Sequence, residues 1–379
     1  MRKCIFFCAG NMFNIKKIYL TSDCKNYPLA HEIINSLDAE TKITNDLIPL
    51  MKEISNSEDP QSKGKEVLIL TKNRGDFLKK CPGTKYYRCC NYQILHVGSF
   101  CPMDCSYCIL QTYFHPPAIS FFLNQEKMED ELDKRVFNSN KIWRIGTGEF
   151  TDSLVWDELF NYSKYLVNLF KGQKRAILEL KTKTVNIENL LELDHNKKTI
   201  VSWSLNTPKV IEEDERDTTT LEQRLEAASI CEKQDYKLAF HFDPIVIYPG
   251  CSEDYKKAVR KIFDYVSPEN IVYISLGTFR FMPDLKDIIK KRFSDSKIWC
   301  GEFFLGTDNK MRYLKTLRID VFKSIHDEFM KIDQNLCLYF CMEDDKVWER
   351  VFGYPPKAKG GLANILDQAV QQHCGVSSH

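Results

Sequence analysis

The chain is expected to be α/β: a partial (β/α)6 TIM-like barrel, with a small N-terminal α/β lead-in and a C-terminal extension. Three observations carry that expectation. Six short runs rich in β-branched and aromatic residues recur between residues 93 and 276, as strands do. The intervals between them are of helical length and amphipathic, so strand–helix units imply parallel neighbours. Six units are fewer than the eight of a closed barrel. A doubly wound sheet is the alternative.

In chain order, residues 12–85 read as the lead-in. Lys17 to Leu20 and Glu66 to Leu70 are its strands, with a helical stretch near 30–55 and a polar break from Ser55 to Lys65. The barrel spans 86–295, with strands at Gln93 to Val97, Lys141 to Gly146, Ala176 to Leu180, Thr199 to Ser204, Lys237 to Phe242 and Ile271 to Leu276. The helices between them include Leu154 to Phe170, Thr220 to Lys233 and Ser252 to Val266. The extension, 296–352, holds apolar runs at Lys297 to Phe304 and Leu336 to Met342 around a helix from Arg318 to Lys331. The tail, 353–379, contains Gly, Pro, Gln and Ser, and its last residues are expected to be mobile.

Composition narrows the function classes. With 53 Lys+Arg against 52 Asp+Glu, a strongly basic nucleic-acid coat and an acidic disordered tail are excluded. Any phosphate contact must come from a local patch. Candidate basic clusters run from Lys171 to Lys183, Lys256 to Lys261, Lys286 to Lys297 and Lys310 to Arg318; the last includes Arg312-Tyr313, which suits phosphate pairing with stacking. Solvated helix faces are the other reading of each. No window reaches the ~18–20 apolar residues of a membrane span.

The 15 cysteines are the unusual count, and being odd they cannot all pair within one chain. The apolar stretch Cys4 to Gly10 is at the lower limit for a secretory segment and is ended by Asn11 and Lys16-Lys17. The expected compartment is the reducing cytosol, where clustered cysteines point to metal or redox chemistry.

In parallel-strand architectures chemistry gathers at the carboxyl ends of strands. Polar residues accumulate there: Thr147, Glu149 and Asp152, then Lys181 and Lys183, Ser204 and Asn206, His241 and Asp243, and Thr278 with Arg280. Just past the first strand stands Cys101-Pro102-Met103-Asp104-Cys105-Ser106-Tyr107-Cys108. Three thiolates on one short loop suit an iron–sulfur cluster or zinc. A four-iron cubane held by three cysteines leaves one iron open to another molecule. Zinc wants a fourth ligand, which Cys89 or Cys90 can donate; three unrelated core cysteines is the remaining reading. Cys81 to Thr84 and Tyr86 to Cys90 have no assigned chemistry, with shaping of the site entrance and core packing both open.

The Cys-x3-Cys-x2-Cys motif with Tyr107 before its last cysteine resembles the signature of radical S-adenosylmethionine enzymes. Within that superfamily the chain is similar to the spore photoproduct lyase family. The resemblance is carried by Cys105 to Gln111, Gly148 to Ser153, Leu180 to Lys183, Ser202 to Asn206, Arg224 to Ala228, Phe242 to Ile245 with Pro249-Gly250 and Glu253 to Tyr255, and Asn26 to Ala30. It spans roughly residues 17–350.

The resemblance implies a partial (β/α)6 barrel holding a [4Fe–4S] cluster on Cys101, Cys105 and Cys108. The fourth iron would chelate S-adenosyl-L-methionine, with the catalytic Tyr107 near its adenine. Gly146, Thr147, Gly148 and Glu149 match the motif that contacts its amino group. Lys183 and Ser204 match positions that hold its carboxylate, and Asn206 falls in the same cofactor-binding set. The implied activity is that of a carbon–carbon lyase acting in DNA repair. A 5′-deoxyadenosyl radical takes a hydrogen from a thymine dimer joined by a methylene bridge, the bond between the thymines breaks, and a hydrogen returns. The implied partners are DNA containing the thymine photoproduct and a reducing electron donor such as flavodoxin or ferredoxin, with no membrane.

Two departures stand out. The family's hydrogen-donor cysteine, just before the Thr-x-Asp-like segment, is Glu149 or Phe150 here, and the relay tyrosine after the third cluster cysteine is Ile109. Cys251, Cys300 and Cys341 are unassigned candidate donors. A radical enzyme with a non-DNA substrate is therefore the second reading, and a non-enzymatic zinc or cluster-bearing binding module the third.

Overall fold

The structure is a computed structural model that describes residues 13–83 and 87–377. The apolar stretch Cys4 to Gly10, Thr84 and Tyr86 lie outside the described residues. Among the described residues, the barrel sheet has eight strands. Seven run parallel: β1 (Gln93–Leu95), β2 (Trp143–Gly146), β3 (Ala176–Thr182), β4 (Thr199–Ser204), β5 (Lys237–Ile245), β6 (Ile271–Thr278) and β7 (Leu338–Phe340). They lie side by side in chain order, and the short strand Leu78–Lys80 closes the β1 edge antiparallel. A doubly wound sheet reverses its strand order partway; this one never does, so it curls as an open barrel.

All six expected barrel strands are present. β7, placed by the sequence in the extension, completes the sheet by pairing Ile274 with Leu338 and Leu276 with Phe340. β6 is buried along its whole length, as a parallel strand covered on both faces must be. Helices Tyr162–Phe170, Leu221–Glu232, Cys251–Ile262 and Lys315–Ile332 lie in the connections. Thr220 opens the second of these with a capping box to Gln223, satisfying its first amides.

The lead-in is a five-stranded sheet in the order Glu40–Thr44, Lys17–Thr21, Val67–Thr71, Ile119–Phe122, Gly98–Ser99. Its last two strands come from beyond residue 85, so the two sheets interleave in sequence. Glu40–Thr44 falls inside the stretch expected to be helical. It is an edge strand exposed along nearly its whole length, so it carries no apolar alternation to read. The polar break ends in a helix, Pro60–Lys65, capped by Asp59 and started by Pro60.

The tail holds a helix that the sequence reading did not name. Leu362–Cys374 is a helix with five buried side chains, and Lys198 Nζ donates to the carbonyls of Cys374 at 2.6 Å and Gly375 at 2.9 Å. The residues through Val376 are thus held against the barrel. No helix among the described residues is long and apolar enough to cross a membrane.

Candidate active site

A cavity of about 300 Å³ opens at the carboxyl ends of the barrel strands. Of the eleven polar strand-end residues named from the sequence, eight line it: Glu149, Asp152, Lys181, Lys183, Ser204, His241, Asp243 and Arg280. Cys101, Cys105, Tyr107 and Cys108 line it from the loop after β1.

That loop is tied down from three sides. Asp104–Cys105 pairs antiparallel with Glu215–Arg216. The Ser106 amide donates to the Asp214 carbonyl at 2.9 Å and its hydroxyl to the Asp214 carboxylate at 2.5 Å. Lys65, from the lead-in, pairs with Asp104 and donates to the Met103 carbonyl at 2.6 Å. Arg292 reaches Asp104 at 2.9 Å and Asp59 at 3.0 Å. Gln111 closes the turn, its amide donating to the Ser106 carbonyl at 3.0 Å. A fork-shaped guanidinium between two carboxylates fixes orientation as well as charge.

Behind the thiols is a buried ionic network. Lys183 Nζ lies 4.0 Å from Cys105 Sγ and donates to the Tyr107 hydroxyl at 3.0 Å; that hydroxyl donates in turn to Glu215. Glu215 is held by Arg224 at 2.7 Å, and Arg224 also donates to the Ser204 carbonyl at 2.8 Å. Burial pushes the Cys105 thiol up to about 12, with the Lys183 cation opposing. Burial would by itself push Glu215 up, but Lys183 and Arg224 hold it below its ordinary value.

The segment after β2 forms the adjoining wall. Glu149 pairs with Lys181 across the strand ends. Asp152 accepts from the Lys183 amide and the Thr182 hydroxyl, each at 2.8 Å. Gly148 lies so close to Lys181 that an added Cβ would sit 2.9 Å from that residue's Cβ and carbonyl oxygen. Gly146, Thr147 and Asn206 do not reach the lining. Gly146 is pressed against Tyr92, Thr147 donates to Ser153 at 2.8 Å, and Asn206 accepts from Tyr255 at 2.7 Å and donates to the Pro244 carbonyl at 2.9 Å. Cys101, Cys105, Cys108, Tyr107, Gly148, Glu149, Lys183 and Ser204 do meet on the cavity.

The opposite wall sets strand-end residues named from the sequence against Glu179 and Tyr273, to which the sequence assigned no site role. Glu179 accepts from His241 at 2.6 Å and Tyr273 at 2.8 Å. Burial alone would raise it, but the His241 charge and hydrogen bond hold it down to about 2. Arg280 grips Asp243 at 3.0 and 3.1 Å and donates to Cys341 Sγ at 3.4 Å. Cys81 and Cys90 line the same cavity, while Cys251 is buried in a helix and Cys300 is exposed outside it. Glu215 and Arg224 were missed as a pair because their charges sit on segments that read as ordinary helix and turn surface. The signal available was Arg224 beside an apolar helix face.

One expected DNA contact is overturned. Arg312 and Tyr313 are each 1% exposed. Arg312 is paired with Asp308 at 2.6 Å and donates to the Met342 carbonyl at 3.2 Å, and the Tyr313 hydroxyl accepts from the Ile247 amide. Both lie on the central strand of the small antiparallel sheet Arg280–Phe281, Met311–Tyr313, Phe303–Leu305 and are buried there, leaving neither for phosphate or a base.

The residues present fit an iron–sulfur cluster with S-adenosylmethionine. Three thiols on one anchored loop face a cavity, with a cation and hydroxyls beside them for a carboxylate. Among the described residues, no three His, Cys, Asp or Glu side chains converge on a single-ion site, so the three thiols border the cavity and do not close on one ion.

Comparison with known proteins gives a consistent picture. The family model described as spore photoproduct lyase matches residues 13–315. The spore photoproduct lyase of Clostridium acetobutylicum is 23% identical over 87% of this chain and 97% of its own length. That of Bacillus subtilis is 26% identical over 77% and 86%. Among solved structures, a spore photoproduct lyase complexed with dinucleoside spore photoproduct superposes with a TM-score of 0.76 at 19% identity, covering 87% of this chain and 99% of that one. A double variant with S-adenosylmethionine and the same dinucleoside bound gives 0.75 at 19%, over 86% and 99%. At these identities the structural likeness concerns the fold.

Proposed function

Since the chain belongs to the spore photoproduct lyase family, we propose that it is a radical S-adenosylmethionine lyase that repairs thymine photoproducts in DNA. The observation that carries this reading is the single cavity where Cys101, Cys105 and Cys108 meet the Lys183–Tyr107–Glu215 network. The bound cluster and cofactor would supply a 5′-deoxyadenosyl radical, while the protein supplies orientation and a dry site.

Cys101, Cys105 and Cys108 would hold the cluster. Lys183 and Ser204 would face the cofactor's carboxylate, since a carboxylate needs a cation and hydroxyl donors. Gly148 and Glu149 would border its amino group, and Tyr107, packed edge-on against Phe279 on the cavity wall, would lie near its adenine. A linked thymine pair must leave the base stack to enter the cavity. A low-potential protein such as flavodoxin or ferredoxin would donate electrons, in the cytosol.

Anaerobically reconstituted protein should open spore-photoproduct dinucleotide to two thymidines. It should also carry about four irons per chain with matching sulfide, both lost in Cys105→Ala. Cleavage of S-adenosylmethionine without opening the lesion would redirect the substrate assignment. That second reading, a non-DNA substrate, is favoured by Glu149 and Phe150 standing where the family has its donor thiol. Tight, salt-dependent binding to UV-damaged oligonucleotides would refute it.

A further inference from the structure

We propose that Cys341 is the hydrogen donor that completes the reaction in this chain. The inference rests on the lyase reading above and adds a residue to it. Taking one hydrogen from the lesion leaves a carbon radical. Once the bond between the thymines breaks, the unpaired electron sits on a methylene carbon of one base, which needs one hydrogen atom to become a methyl group. Donors must have an X–H bond weaker than the C–H bond formed, and a thiol meets that condition.

Outside the cluster loop, three thiols line the cavity: Cys81, Cys90 and Cys341. Cys90 is engaged by its neighbour Cys89, whose thiol is lowered to about 7 by that hydrogen bond. Cys341 is placed differently. It stands at the carboxyl end of β7, where its amide donates to the Leu276 carbonyl at 2.9 Å. Its sulfur accepts from Arg280 Nη2 at 3.4 Å, and Arg280 is itself clamped by Asp243. A sulfur that accepts from a guanidinium keeps its own hydrogen for another partner. Burial pushes the Cys341 thiol well up, against the pull of Arg280, so the S–H bond is intact at neutral pH; a thiolate would have no hydrogen to give. Glu149, one of the two residues standing where the family's donor thiol is missing, lines the same cavity. The donor has moved across the cavity.

The step balances. The Cys341 S–H bond breaks homolytically, the hydrogen joins the methylene carbon, and sulfur keeps one unpaired electron. One electron from the external one-electron reductant that the reaction already requires, with one proton from solvent, restores the thiol. S-adenosylmethionine is therefore consumed once per lesion opened.

The test uses reconstituted holoprotein in D2O, where thiols exchange, with dinucleotide lesion deuterated at the abstracted position in a parallel run. The wild type is expected to move the lesion deuterium into 5′-deoxyadenosine and one solvent deuterium into the product methyl. Cys341→Ala is expected to keep the first transfer and lose the second together with most of the intact thymine, whereas a Cys300→Ala control keeps both. Retained methyl deuterium and thymine yield in Cys341→Ala, or loss of both in Cys81→Ala instead, overturns the assignment. If the wild type moves no lesion deuterium, the lyase reading fails and this donor falls with it.

Discussion

The Lys183 ammonium lies 3.0 Å from the Tyr107 hydroxyl and 4.0 Å from Cys105 Sγ. One side chain at the end of β3 thus meets both a cluster-loop thiol and the aromatic beside it. Burial alone would lower this ammonium, but the Cys105 sulfur and the Glu215 carboxylate, the latter 3.8 Å away, outweigh it and hold Lys183 above its ordinary value. The cation is secured before any ligand arrives, as a carboxylate site requires.

Replacing Lys183 with Met removes that cation while Arg224 continues to hold Glu215. A charge-assisted hydrogen bond contributes about 1.5–3 kcal/mol, so S-adenosylmethionine should bind roughly ten- to a hundredfold more weakly. Equilibrium dialysis on anaerobically reconstituted protein measures the change, with iron and sulfide assayed in parallel. Unchanged affinity would move the carboxylate contact to another residue.

Gly146 is required by close approach. A Cβ there would lie 1.7 Å from the Tyr92 hydroxyl oxygen and 2.7 Å from the Glu179 carbonyl oxygen, neither of which can retreat within the buried sheet. Gly146→Ala should therefore destabilise the barrel by about 1–3 kcal/mol or more. Gly172 has nothing within 4 Å of its added Cβ, and Gly172→Ala should stay within about 0.5 kcal/mol of wild type. Urea midpoints of the two variants test the contrast, and equal midpoints would remove the steric explanation.

What could be read from sequence was whatever is local. The cysteine loop was legible because its three thiols fall within eight residues, and the six barrel strands because each is an apolar run of its own. β7 was assigned to the extension because its membership depends on pairing with β6 from more than sixty residues away, across a helix and a separate small sheet. Gly98–Ser99 and Ile119–Phe122 join the lead-in sheet in the same non-local way. Burial of charge was the other blind spot. Arg312 reads as a surface cation and is an interior one because Asp308, four residues before it, folds back to meet it. Asn206 reads as a ligand at a strand end and is spent on Tyr255 and Pro244.

Asp157 makes the stability of the protein pH-dependent in a direction that can be worked out. Its carboxylate accepts from the Ser163 amide at 2.8 Å and from the Ser163 hydroxyl, at the start of helix Tyr162–Phe170. Burial outweighs both bonds and pushes it up from 3.8 to about 7. Between those two values the native state holds a proton that the unfolded chain has released. Unfolding therefore releases a proton, and stability falls as pH rises through that window. The contribution is fully present below the unfolded value and is gone above the folded one. Asp157→Asn cannot ionise, so its urea midpoint should drop less than the wild type's between about pH 4.5 and about pH 7.5. Taking the difference between the two proteins cancels every other titrating group they share. A wild-type slope no steeper than the variant's would mean that the Asp157 carboxyl stays ionised in the fold.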